Sequence, residues 1–200
     1  MCFHPHCSES SAAIRGSKPL VRNGNYYFWE VTVFDKTYGT SVMFGLCNKK
    51  QRLHVNDYLN FIGLDENGWS LSHKGLIWHG GKCSRFTPVF PEHQTVTVGL
   101  LFNTMRGELS FFLNGNFLGV AFTNLNSISD ELYPVVGSTA KRTRMRLTGA
   151  YCGHITLRQL SCYSISKHAN DPKKLVEQME EKYVPKPLVN CLAVLTGVCQ

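Results

Sequence analysis

The N-terminus places four potential metal ligands close together: Cys2, His4, His6 and Cys7. Thiolate and imidazole groups are ligands that structural zinc prefers. These residues lie too close together in sequence for an unstrained tetrahedral site, and no second ligand pair stands at zinc-finger spacing. We therefore interpret the segment as a polar strand or loop, and we expect neither a metal site nor a cofactor.

Catalysis would need a nucleophile beside a base, a pair of carboxylates or a phosphate-binding loop. The sequence contains no G-x-S-x-G, P-loop or zinc-protease motif. Asp65 and Glu66 are adjacent, so their side chains point to opposite faces of an extended chain. The eight histidines are isolated from other catalytic residue types. The sequence therefore predicts that the protein is not an enzyme.

A formal net charge of +7 is compatible with nucleic-acid binding or with acidic protein partners. Arg142, Arg144 and Arg146 alternate with Thr143 and Met145. This alternation is typical of a strand with one solvated face, and no stacking aromatics are interleaved with the charges. The pattern favours a solvated face over a phosphate-binding one, and nucleic-acid binding is the weaker alternative.

Cysteine usage and hydropathy bear on the cellular compartment. The eight cysteines include no C-x-x-C pair, and residues 1–7 are too polar for the apolar core of a secretory signal. The sequence contains no run of about 18 apolar residues, which a membrane-spanning helix would need. We expect reduced thiols, no membrane partner and a cytoplasmic protein, with the nucleus as a second candidate location.

Short β-type segments separated by Gly, Asn and Pro extend over residues 26–147. The clearest are residues 26–34, 40–47, 68–73, 95–102, 108–113 and 117–122. Asn114-Gly115 tolerates the positive φ values of a tight hairpin between the last two segments. Successive strands with short links and no crossover helices predict an all-β sandwich.

The hydrophobic period changes after Gly153 to one typical of helices. Residues 157–168 predict a first helix, Asp171 and Pro172 suit the start of a second, and residues 188–195 suggest a third. Three short helices have too little core to be stable alone. The tail therefore needs a partner surface or the sandwich itself.

Several segments resemble the SPRY (B30.2-like) domain. They are the opening stretches 11–16, 27–31 and 38–46, the central segment 62–71, the strand-turn segment 107–115 and the closing Tyr133-Pro134-Val135-Val136. The resemblance implies an N-terminally short SPRY sandwich over residues 1–150.

The tail is similar to a SOCS box, with Thr156-Leu157-Arg158-Gln159-Leu160 in the place of its elongin-binding helix. This implies a small α-helical SOCS-box-like tail at residues 154–197. Together the two resemblances cover nearly the whole chain and point to the SPRY domain-containing SOCS box family. Within it the chain resembles the divergent third member, shortened at the N-terminus.

The resemblance implies that loops at one edge of the sandwich bind a short extended peptide of a target protein. Tyr58 matches the tyrosine that stacks on the peptide, while Ala140 stands where a Trp is common. The implied pocket walls are His6, Cys7 and Ser8 on one side and Ser138 and Thr139 on the other. Trp29 and Trp69, by contrast, lie in apolar strands and are predicted to be core residues.

The resemblance also implies two ligase partners, elongin B/C and a cullin scaffold. The implied elongin-binding residues are Leu157, Leu160, Ser161, Cys162 and Ile165. The implied cullin-contacting residues are Val184, Pro185, Lys186, Pro187 and Leu188. Leu157 would be the anchor of an amphipathic helix in a partner groove.

The predicted function is therefore a substrate-recognition adaptor of a cullin-RING E3 ubiquitin ligase. Ser161 stands where the SOCS box usually has Cys, and Lys186 where it usually has an apolar residue. These departures support the alternative of a non-catalytic SPRY scaffold that recruits no ligase, with its tail packed on the sandwich.

Overall fold

The computed structural model describes residues 10–34, 39–92, 94–140 and 143–154, together with Lys174, Glu177 and Gln178. The chain divides into two compact units, Met1–Gly153 and His154–Gln200. Among the described residues, no helix has the length and hydropathy needed to cross a bilayer.

The described residues form twelve strands and one short 3-10 helix at Leu125–Ser127. The strands are β1 (Ser11–Arg15), β2 (Asn25–Val33), β3 (Val42–Cys47), β4 (His54–Val55), β5 (Gly68–Ser72), β6 (Leu76–His79), β7 (Lys82–Arg85), β8 (Val96–Asn103), β9 (Glu108–Leu113), β10 (Asn116–Phe122), β11 (Tyr133–Ser138) and β12 (Met145–His154). They form a seven-stranded sheet in the order β4-β1-β11-β3-β5-β6-β7 and a five-stranded sheet in the order β10-β9-β8-β2-β12. The predicted all-β sandwich is confirmed.

The main core lies between the two sheets. The five-stranded sheet contributes alternate residues such as Val31, Leu100 and Phe111, and the seven-stranded sheet contributes Phe44 and Leu71. Burying each of these side chains stabilises the fold by about 1.5–3 kcal/mol. The sandwich is therefore a rigid scaffold for the loops at its ends.

Trp29 and Trp69 belong to this main core, as the sequence predicts, and each is 6% exposed. The ring of Trp69 also stacks on His79, with 4.7 Å between the ring centroids. Both indoles thus pack in the main core of the sandwich.

A second, smaller core lies on the opposite side of β3. Met43 and Cys47 point to this side and pack in a cluster with Phe61 and Ile62, which is why every residue of β3 is buried. Burial raises the pKa of the Cys47 thiol to about 12, although the neighbouring Arg15 acts in the opposite direction. The second core anchors the segment that follows β4 against the sheet.

The hairpin between β9 and β10 turns at Asn114 and Gly115, as predicted. Their φ values are 50° and 81°, in the left-handed region that this dipeptide tolerates. The alternation predicted near Arg146 is also present, because Thr143 and Met145 are buried whereas Arg144 and Arg146 are exposed.

Most of the predicted C-terminal tail lies outside the described residues. Lys174, Glu177 and Gln178 are helical and exposed, and they fall within the second predicted helix. The helical tail as a whole and the domain boundaries stay predictions.

Candidate functional site

Tyr58 lies in the segment that follows β4, and its side chain is 44% exposed. The backbone on both sides of it is bound to the buried hydroxyl of Ser11 at the start of β1. Ser11 Oγ donates to the carbonyl oxygen of Asp57 at 2.6 Å and accepts the N–H of Leu59 at 3.0 Å. The backbone N–H of Tyr58 also donates to Asp57 Oδ1 at 2.7 Å. The exposed ring of Tyr58 therefore projects from a fixed backbone.

Ser138 and Thr139 lie at the end of β11, and both side chains are buried. Thr139 Oγ1 accepts the N–H of Ser41 at 2.8 Å and donates to the Ser41 carbonyl oxygen at 3.1 Å. Ser138 Oγ donates to Thr143 Oγ1 at 2.9 Å and accepts the N–H of Ala140 at 3.0 Å. Both hydroxyls serve hydrogen bonds within the sandwich. Their role as walls of a peptide site stays a prediction.

The sheet register brings these elements to one end of the seven-stranded sheet. Ser11 lies opposite Val55 of β4, and its neighbour Ala12 lies opposite Ser138 of β11. Ser138 in turn lies opposite Val42 at the start of β3. The sequence predictions Tyr58, Ser138 and Thr139 thus occupy the same end of the sheet.

The first predicted wall, His6, Cys7 and Ser8, precedes β1 and lies outside the described residues. The Cys2 and His4 cluster at the N-terminus lies outside them as well. Among the residues that the structure describes, no group of three or more His, Cys, Asp or Glu is arranged to hold a metal ion.

The predicted ligase contacts also lie outside the described residues. For elongin B/C these are Leu157, Leu160, Ser161, Cys162 and Ile165. For the cullin they are Val184, Pro185, Lys186, Pro187 and Leu188. Both sets stay predictions.

A buried histidine supports this end of the sheet, and the sequence reasoning missed it. His73 is 2% exposed, and its Nδ1 accepts the N–H of Val42 at 3.0 Å. Burial lowers the pKa of His73, and the neighbouring Lys74 acts in the same direction. A neutral His73 thus holds the start of β3. A single histidine after an apolar strand carries no sequence signal for this role.

The arrangement offers an exposed aromatic ring on a fixed loop beside a strand end whose side chains are internally hydrogen-bonded. Such a surface suits stacking and backbone hydrogen bonds to an extended peptide. The geometry therefore favours binding.

The SPRY domain family matches residues 26–150 of the chain. The SPRY domain-containing SOCS box protein 3 of Xenopus tropicalis is 33% identical over 98% of this chain and 52% of its own length. The protein of the same name from Xenopus laevis is 33% identical over 80% of this chain and 43% of its own length. The chain thus spans about half the length of these relatives.

The fold is similar to that of a solved SPRY domain. The SPRY domain of human HERC1 aligns with a TM-score of 0.55 and 16% identity, covering 71% of this chain and 84% of that domain. At this identity the likeness concerns the fold alone. The sandwich topology and the match over residues 26–150 agree, and the chain belongs to the SPRY domain family.

Proposed function

We propose that this chain is the substrate-recognition adaptor of a cullin-RING E3 ubiquitin ligase. In this proposal the end of the sandwich around Tyr58 binds a short extended peptide of a target protein. The tail from Leu157 recruits elongin B/C, and the segment around Pro185 contacts a cullin. The protein acts by binding rather than by catalysis, in the cytoplasm with the nucleus as a second location.

One observation carries the peptide-binding half of this proposal. Tyr58 is exposed although its backbone is fixed on both sides by Ser11. An aromatic ring on a fixed backbone loses less conformational entropy on binding than one on a mobile loop, which suits an interface anchor. The ligase half rests on the 33% identity to a SPRY domain-containing SOCS box protein over 98% of the chain.

We expect Tyr58→Ala to weaken capture of short extended peptides about thirtyfold, since an aromatic anchor contributes about 2 kcal/mol. The measurement is fluorescence polarisation with a labelled peptide library. Because Tyr58 is exposed, the variant should unfold at the wild-type temperature. Phe117→Ala, which removes another exposed aromatic ring, is the matched control and should bind as the wild type does. Equal affinities for wild type and Tyr58→Ala would contradict the site.

We expect Leu157→Asp to abolish co-purification of elongin B/C, because the substitution would place a charge in an apolar partner pocket. The measurement is co-expression followed by affinity purification of the full chain. Leu64→Asp, which changes an exposed leucine of the sandwich, is the control and should retain elongin. If the wild-type chain captures no elongin, the ligase half is wrong and the scaffold alternative stands. Peptide binding at Tyr58 is independent of that result.

A further inference from the structure

In the part of the chain that the structure describes, the two sheets end at four edge strands, β4, β7, β10 and β12. An edge strand exposes backbone hydrogen-bonding groups and can pair with another chain unless it is protected. Strand β4 has only two residues, β7 carries Lys82 and Arg85, and β10 has an irregular register around Gly119. Short length, charge and bulges are three of the usual protections.

Strand β12 is the longest of the four edge strands. It is ten residues long, contains no proline, and has Arg146 as its one lysine or arginine. It pairs with β2 on one side. Within the described residues, no strand follows it on the other side. A long edge of this kind is suited to adding a further strand.

An open groove of about 420 Å³ lies beside β12, between the two sheets. Its volume is within the range of about 300–1,000 Å³ found for ligand pockets. The groove is lined mainly by apolar side chains, among them Ile14, Leu20, Trp29, Val31, Val136 and Leu147. Ile14 is 38% exposed and Leu147 is 55% exposed, so apolar surface faces solvent here. A strand added to β12 would place every second side chain in this groove.

The charges favour an acidic partner. None of the described residues that line the groove is acidic, and Arg146 is exposed at its rim. The other lining arginine, Arg15, is directed away, because its guanidinium donates to the carbonyl oxygens of Asn48 and Lys49. The whole chain has a net charge of +7, which opposes pairing with a second copy.

We propose that the outer edge of β12 and the adjoining groove bind an extended acidic segment of a partner protein by β-strand addition. The segment carries apolar side chains at alternate positions and acidic residues near Arg146. The surface is separate from the Tyr58 site. The groove meets β1 at Ile14 and Arg15, whereas Tyr58 is held at the other end of β1 by Ser11.

The probe is a labelled peptide of about ten residues with alternating Leu and Thr and a pair of glutamates at its C-terminus. In antiparallel addition this end lies beside Arg146, near the start of β12. We expect saturable binding, and slower amide hydrogen exchange in β12 when the peptide is present. Two further peptides carry N-methyl groups on one or the other set of alternate amides. Binding should be abolished only in the peptide whose N-methyl groups lie on the amides that face β12.

Leu147→Lys should weaken binding at least about tenfold, because it places a charge in the apolar groove. Val89→Lys is the matched control, since Val89 is 52% exposed and does not line the groove. Arg146→Glu should weaken binding of the acidic peptide. It should strengthen binding of a matched peptide that has lysines in place of the glutamates. Ile14→Lys repeats the test from the other wall of the groove.

Three results would overturn the proposal. The first is equal binding of both N-methylated peptides, or no binding of the unmethylated probe peptide. The second is strong exchange protection of the β12 amides that face away from β2 in the monomeric chain without peptide, which would mean that the chain covers its own edge. The third is a dimer in analytical ultracentrifugation that Leu147→Lys dissociates, which would make the occupant a second copy.

Discussion

At the residue scale, two buried hydroxyls hold the end of the seven-stranded sheet together. Ser11 and Thr139 each donate one hydrogen bond and accept another from loop backbone. Loss of such a hydroxyl leaves a buried backbone group unsatisfied, which costs about 1–3 kcal/mol. The loops they bind are therefore ordered by the sandwich before any ligand arrives.

His73 makes this end of the sheet sensitive to acid. The pKa of His73 lies below its ordinary value of about 6.5, so the unfolded chain takes up a proton at that position more readily than the folded chain. Its contribution to stability is complete above pH 6.5 and is lost as the pH falls from there toward the lowered pKa.

We expect His73→Asn to flatten this pH dependence, since asparagine can accept the N–H of Val42 but does not titrate. The measurement is urea unfolding of wild type and variant at neutral pH and at mildly acidic pH. The wild type should lose more free energy of unfolding between the two conditions. All other titrating groups are common to both proteins, so an equal loss would contradict the assignment.

At the element scale, β3 is the strand on which both cores depend. Its even-numbered residues Val42, Phe44 and Leu46 face the main core, while Met43 and Cys47 face the second core. Gly45 lies between them, directly opposite Ser70 of β5. A β-carbon at position 45 would overlap the carbonyl oxygen of Trp69 and approach Ser70 Cα to 2.8 Å. The close approach of β3 and β5 therefore requires glycine.

Gly45→Ala should lower the free energy of unfolding by at least about 2 kcal/mol, because the clash is with backbone that cannot move aside. Chemical denaturation is the measurement. Gly149→Ala in β12 is the control, since its nearest neighbour is the flexible carboxylate end of Glu30 at 3.1 Å. Similar stabilities for the two variants would show that β3 and β5 can separate at little cost.

Strands with strong patterns were predictable from sequence, and short or weakly patterned ones were not. Strand β9 matches its predicted bounds, and β2, β3 and β8 differ from theirs by one or two residues. Strands β6 and β7 total only eight residues and lack a repeated alternation. Strand β12 continues through Gly149, Ala150 and Gly153 although these residue types have low β propensity, because pairing with β2 outweighs it.

The candidate site was predictable only in part, for a related reason. The position of Tyr58 followed from the SPRY resemblance, and the structure places it at an exposed loop. The burial of Thr139 depends on Ser41, which is 98 residues away in sequence. No local pattern reports such a contact. The apolar groove likewise depends on β1 and β12, which come from opposite ends of the described sandwich.

At the scale of the whole molecule, the two proposed binding surfaces lie apart on the sandwich. The Tyr58 site lies where β1 begins and β11 ends, and the β12 groove lies beside the middle of β11. Sites that share no contacting residues usually bind independently. Occupation of the groove should therefore leave the peptide site available.

The place of β1 in the sheet has a consequence for how the protein is made. Ala12 pairs with Ser138, 126 residues later in the chain. At a synthesis rate of about 5–20 residues per second, β1 is synthesised roughly 6–25 s before its partner β11. Throughout that interval the apolar side chains of β1 and β3 lack the strand that joins them. Because β11 lies between β1 and β3, we expect the seven-stranded sheet to close only late in translation.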